Sequence, residues 1–113
     1  MIEEIILSQL AAAGISAVME IPEGGGTLPF CVVQKTGGGS ENHIRRATVA
    51  IQSYAASLYG AATLNEQVIT AMAAITERPE VGSCELNSDY NYTDGTKKEY
   101  RYQAVFDLVY YDT

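Results

Sequence analysis

The stretch FCVVQKTGGGSENHIRRATVAIQSYAASLYGAA, residues 30–62, constrains the fold more than any other part of this chain. It reads as strand, glycine-rich turn, long strand and helix in unbroken succession. An apolar run, Phe30, Cys31, Val32 and Val33, closes at Gln34, Lys35 and Thr36. The next six residues, Gly37, Gly38, Gly39, Ser40, Glu41 and Asn42, are the types a hairpin connection uses. The return strand is expected from about His43 to Tyr54. Alternation puts Arg45, Ala47, Val49, Ile51 and Ser53 on one face and Ile44, Arg46, Thr48, Ala50, Gln52 and Tyr54 on the other. The first face is the more apolar and is read as core.

On either side of this unit the pattern is equally regular. Ile2, Ile5, Ile6, Gln9 and Leu10 follow helical spacing and Gly14 supplies a stop, so a first helix is expected over residues 2–13. Residues 16–21 lean towards a short strand that ends at Pro22 and the Gly24, Gly25, Gly26 loop. A second helix starts at Ser57 as N-cap and runs to about Glu77, before Arg78 and Pro79. Its apolar stripe is Leu58, Ala61, Leu64, Val68, Met72 and Ile75, with Asn65, Glu66, Gln67, Thr70 and Glu77 turned to water or a neighbour. Two long strands follow, residues 81–92 and 97–111, joined through Thr93, Asp94, Gly95 and Thr96, where Asp-Gly is a strong hairpin signal. In the last strand Tyr100, Tyr102, Ala104, Phe106, Leu108 and Tyr110 share the core face. Arg101, Gln103, Val105, Asp107, Val109 and Tyr111 share the other, whose mixed character suggests cover by another element or another chain. The expected fold is one α+β domain, a mainly antiparallel sheet with two helices packed on it, in the order α-β-β-β-α-β-β.

Charge and composition narrow the function. A formal net charge of -7 argues against a general nucleic-acid or anionic-membrane binder, since both need cationic surface. No run approaches the roughly 20 apolar residues of a membrane helix. The opening MIEEIILSQLAAAG carries two glutamates where a secretory signal would be positive, so a cytosolic protein is expected. Cys31 and Cys84 stand apart without paired-ligand spacing and read as small buried hydrophobes rather than a disulfide or a zinc site. Both glycine runs precede strands rather than helix N-termini, which argues against phosphate cradles. His43 reads as an exposed turn residue, and neither Glu3 with Glu4 nor Asp107 with Asp112 forms an identifiable acid and base pair. Neither catalysis nor a cofactor is expected.

Six of the eight tyrosines follow residue 89, and Tyr90, Tyr92, Tyr100 and Tyr102 flank one hairpin turn. Stacking on single-stranded nucleic acid would need surrounding cations. Here Lys97, Lys98 and Arg101 are balanced by Asp89, Asp94 and Glu99, so cross-strand packing or subunit contact is the better reading.

The segments QKTGGGSENHIRRATVAIQSYA and CELNSDYNYTD, with the C-terminal EYRYQAVFDLVYY, resemble the small tail-terminator proteins of long-tailed phages and prophages, also called minor tail protein U-like or tail-to-head joining proteins. The similarity extends over almost the whole chain. It implies a structural role: a ring, typically of six copies, on the head-proximal end of the tail tube, touching the tail tube protein and the head-tail connector, with DNA only passing through its lumen. It implies assembly in the host cytoplasm and residence in the virion tail. Candidate contacts with partners or further copies are Glu41 and Arg46 at the first hairpin, Lys97 and Lys98 at the second, and Val105, Val109 and Tyr111 on the mixed face. A neck or head-completion protein is a close variant of this reading. A small non-catalytic ligand-binding or regulatory domain is the alternative from another class.

Overall fold

The computed structural model describes residues 1–111, and Asp112 therefore lies outside the described residues. The elements are α1 (Ile2–Ala12), β1 (Ala17–Val18), β2 (Phe30–Glu41), β3 (Ile44–Ala55), α2 (Leu58–Ala73), β4 (Val81–Asn91) and β5 (Tyr100–Tyr111), with a 3-10 turn at Ile75–Glu77. The five strands form one sheet in the order β1-β2-β3-β5-β4. Only β1 against β2 is parallel, and it pairs just Ala17 with Cys31 and Val18 with Val32. The domain is α+β, with both helices on one face of the sheet.

Both helix boundaries have local causes. Gly14 adopts φ +79°, its N–H reaches the Ala11 carbonyl at 3.0 Å and the Ile15 N–H reaches Leu10 at 2.9 Å, so the last turn of α1 is closed by a left-handed glycine. At α2, Ser57 is extended and its Oγ accepts from the Gly60 N–H at 3.0 Å. Residues Ile2, Ile6 and Leu10 of α1 and Ala61, Leu64, Val68 and Met72 of α2 are buried against Val33, Val49, Ile51, Ala104, Phe106, Leu108 and Tyr110 of the sheet. Each large side chain so buried contributes about 1.5–3 kcal/mol. Gln9 ties the helices together: it donates to the Ala71 carbonyl at 2.8 Å and accepts from Arg78 Nε at 2.7 Å.

Four expectations change. The run from Gly37 to Asn42 is not a loop. Gly37, Gly38 and Gly39 pair with Thr48, Ala47 and Arg46 inside β2, after a bulge between Lys35 and Gly37. The reversal takes only Asn42 and His43, at φ 52° and 67°, because a two-residue turn with both φ positive matches the twist of the flanking strands. Secondly, α2 stops at Ala73 rather than Glu77, and the chain tightens into the 3-10 turn that buries Ile75. Thirdly, β5 begins at Tyr100 rather than Lys97. The second hairpin turns wide, with an isolated bridge between Asp94 and Glu99, and Lys98 rather than Gly95 takes the positive φ, at 54°. Finally, Asn65 is 1% exposed while Leu58 is 42% exposed, so the buried stripe of α2 is rotated from the one its apolar residues mark. Asn65 donates to Asp89 at 3.0 Å, which fixes the inner face of α2 to the edge strand β4.

Phe106 is 2% exposed at the centre of the helix-covered face. Phe106→Ala is expected to lower stability by about 3–5 kcal/mol, read from urea unfolding. At the first turn, His43→Gly is expected to raise stability by about 1 kcal/mol in the same assay, because glycine enters the left-handed region without a Cβ penalty.

Candidate assembly surface

Among the described residues, the face of the sheet opposite the helices carries no further element over most of its area. Alternation places Gln34 of β2, Arg46, Thr48 and Gln52 of β3, Arg101, Gln103, Val105, Asp107 and Val109 of β5, and Glu85 and Tyr90 of β4 on it. It divides into three zones along the strands.

At one end Phe30 stacks on Tyr54, with ring centroids 5.0 Å apart and planes 7° apart, and Val32 and Val18 complete a small apolar cluster. The loop before β2 passes against it, since a Cβ at Gly26 would stand 2.9 Å from the Phe30 ring. Arg101 extends this zone towards the second hairpin. Its Nη1 donates to the Tyr54 hydroxyl at 2.9 Å and its Nε to the Tyr92 carbonyl at 2.7 Å. The guanidinium lies 4.7 Å from the Tyr92 ring centroid and 5.6 Å from that of Tyr54. The tyrosines of the second hairpin therefore do not form one patch. Tyr90 and Tyr92 lie edge to face on the open side, and alternation sends Tyr100 and Tyr102 to the helix side.

Across the middle runs a polar ladder. Gln52 donates to Gln103 at 2.9 Å and more weakly to Gln34 at 3.4 Å. The Tyr54 hydroxyl donates to Gln52 at 3.1 Å, and Gln103 donates to the Tyr90 hydroxyl. Four strands are thus linked on their exposed side by side-chain hydrogen bonds, each worth about 0.5–1.5 kcal/mol.

The third zone is a shallow trough of about 570 Å³ bounded by Gly38, Gly39, Arg46, Glu85, Asp107 and Val109. Glu85 stands directly opposite Asp107 on the neighbouring strand, a like-charge pairing that disfavours the sheet. Asp107 is held in place by Thr48 Oγ1 on one oxygen and Asn87 Nδ2 on the other, both at 3.0 Å. Arg46 is exposed on the same face, and no ion pair to it occurs among the described residues. Arg45, on the helix side, sits at the sheet margin 5.5 Å from the Tyr110 ring.

The sequence-derived contact residues are scattered over this surface. Arg46, Val105 and Val109 share the open face, the two valines half-buried; Tyr111 is 47% exposed at its end. Glu41 closes β2 beside the turn, within reach of that end, since Ile44 pairs both Glu41 and Tyr111. Lys97 and Lys98 lie in the second hairpin turn, beyond the opposite end of the strands, and do not join the others. Missed from sequence were Gln34, Gln52 and Gln103 as a connected ladder, and Asp107 with Glu85 as a facing pair. The signal for both is the β3–β5 and β4–β5 register, which alternation alone does not supply.

Reactive groups are few on this surface. His43 is exposed at the turn tip, and among the described residues no cluster of three or more His, Cys, Asp or Glu is arranged to hold a metal ion. Among the same residues no helix is long and apolar enough to cross a membrane. Both cysteines are free. Burial pushes the Cys31 thiol up to about 11, the hydrogen-bonding contact with Ser53 acting the other way. Burial also pushes Cys84 up to about 11, with Asp107 and Glu85 adding to the shift. What the surface offers is an ordered, mostly polar plane bordered by strand edges. No family model matches the chain, and no curated protein matches it in sequence.

The thiols give a direct check. Both are expected to resist alkylation at pH 7 in the folded protein and to react at the ordinary rate in urea, with the folded rate climbing only as pH nears 11. Because the unfolded thiols ionise near 9 and the folded ones near 11, this contribution to stability is full below pH 9 and is lost between 9 and 11.

Proposed function

We propose that this chain is a non-catalytic assembly protein of a long-tailed phage or prophage. It is a terminator that closes as a ring on the head-proximal end of the tail tube, stops the tube growing and presents its other surface to the head connector. The resemblance of QKTGGGSENHIRRATVAIQSYA and CELNSDYNYTD to tail-terminator proteins supports this reading. The structural observation that carries it is the one-sided sheet: helices cover one face, while the other is a hydrogen-bonded polar plane flanked by unpaired strand edges.

The mechanism is geometric. A terminator must match the last layer of a polymer on one surface and refuse a further layer on the other, which demands rigid, specific contacts and no reactive group. A sheet whose exposed side is cross-linked by Gln34, Gln52, Gln103 and Tyr90 keeps its shape without a second layer of structure. A formal charge of -7 suits a ring through which DNA slides without adhering.

Arg46, exposed beside Gly39 on the open face, is the residue whose reversal tests docking with least damage to the core. Arg46→Glu is expected to give a folded protein that fails to restore normal tails in a complementation assay, leaving overlong or headless ones, while His43→Ala restores them. Normal particles from a strain lacking the gene would overturn the terminator reading itself.

A further inference from the structure

We infer that the outer part of β2 is a hinged arm. Residues 36–43 peel away from β3 as a unit while the rest of the domain stays folded, pivoting at the bulge between Lys35 and Gly37. This conformational step goes beyond the assembly reading above and does not depend on it.

Burial along β2 changes abruptly. Phe30, Cys31, Val32 and Val33 are 6%, 0%, 2% and 1% exposed, whereas every residue from Gln34 to Glu41 is exposed. Cys31 and Val33 belong to the helix-covered core, and Phe30 and Val32 to the apolar cluster on the open side. Strand β1 adds its pairing at Cys31 and Val32. The inner part of β2 is thus held on both faces and both edges, while among the described residues the outer part pairs with β3 alone.

The residues of the arm, Thr36, Gly37, Gly38, Gly39, Ser40, Glu41, Asn42 and His43, include no aliphatic side chain, so opening uncovers little hydrophobic surface. What holds the arm is the backbone ladder from Gly37 opposite Thr48 to Glu41 opposite Ile44. Two side chains assist it. Thr36 Oγ1 donates to the Thr48 carbonyl at 3.2 Å, and Lys35 folds over Gly38, where a Cβ would stand 2.8 Å from its Cε. Each ladder bond lost to opening is exchanged for one to water, so its net contribution is small. Three glycines in eight residues regain more backbone freedom on release than other residues do. A segment with exposed backbone hydrogen bonds and no buried apolar anchor opens locally, well before the domain unfolds.

Opening also remodels the exposed face. Gly38 and Gly39 line one side of the trough that Arg46, Glu85 and Asp107 complete. The trough exists only while the arm is closed, so any contact made within it favours the closed state.

The test is hydrogen exchange on the purified chain, read amide by amide along β3. In an antiparallel ladder alternate residues turn their N–H groups to opposite neighbours, so over residues 45–49 some amides of β3 point to β2 and the others to β5. Those facing β2 are expected to exchange faster by on the order of a hundredfold or more. Over residues 51–54, which face the buried part of β2, both sets are expected to be slow. Urea below the unfolding transition is expected to speed the β5-facing amides and to leave the β2-facing amides of residues 45–49 unchanged, because local opening exposes little surface. Phe106→Ala is expected to divide the two sets in the same way, speeding the first roughly a hundredfold or more. Equal protection of the two sets over residues 45–49 overturns the arm. So does acceleration of both sets in step, in urea or in Phe106→Ala, since the outer part of β2 then opens only when the whole domain unfolds. The urea series uses the unaltered chain, so a Phe106→Ala protein that fails to fold leaves the test decisive.

Discussion

The twelve-residue antiparallel register between β3 and β5, from Ile44 opposite Tyr111 to Ala55 opposite Tyr100, is the constraint from which the rest of the structure follows. It brings Val49 and Ile51 beside Phe106 and Ala104 to form the floor on which the helices pack. It also sets Gln52 against Gln103 and Thr48 against Asp107 on the opposite side. Because side chains alternate strictly, shifting this pairing by one residue would expose the core and bury the ladder. One register therefore specifies both the buried face and the exposed one. The long strands also give the molecule its shape, 45 Å along one axis and 26 and 23 Å across, as expected of twelve residues at about 3.3 Å each.

Stability and availability are thus assigned to opposite sides of the same strands. The helix side is closed by large aliphatic side chains and by Gln9, which joins α1 to α2 and Arg78. On the open side Asp107 is oriented by Thr48 and Asn87, and Arg101 is wedged between Tyr54 and Tyr92. Side chains already ordered in this way have little freedom left to lose in any contact, so less of the contact energy would be spent on ordering. An α+β scaffold of this design can serve many roles, and the role proposed here rests on what its exposed side presents.

Much of this was legible in the sequence, and the failures have definite physical causes. Gly14 and Ser57 announced the ends they set, because a left-handed glycine and a capping hydroxyl act locally. The core face of β3 followed from alternation through Ala47, Val49 and Ile51. Gly37, Gly38 and Gly39 suggest a hairpin connection because glycine, serine and asparagine are the types a turn uses, yet here the ladder to Thr48, Ala47 and Arg46 holds them extended. Asn65 was read as exposed because polarity usually marks the wet side of a helix, and its burial depends on Asp89, a partner 24 positions away. The glutamine ladder turns on the pair Gln52 and Gln103, which joins β3 to β5 across 51 positions of sequence, so no local pattern reveals it.

The two bulges of β4 have a consequence of their own. Gly82 and Asn87 fall where its register against β5 shifts, and at Gly82 the Tyr111 ring occupies the space a Cβ would need, with the hydroxyl 2.5 Å from that position. Each bulge turns the backbone and interrupts the row of hydrogen-bonding groups along the border. Only Ser83–Leu86 and Ser88–Asn91 keep an unbroken register with β5, so the border is a poor template for open-ended strand addition. Bulges along a border are one way in which a fold keeps an exposed strand from pairing indiscriminately.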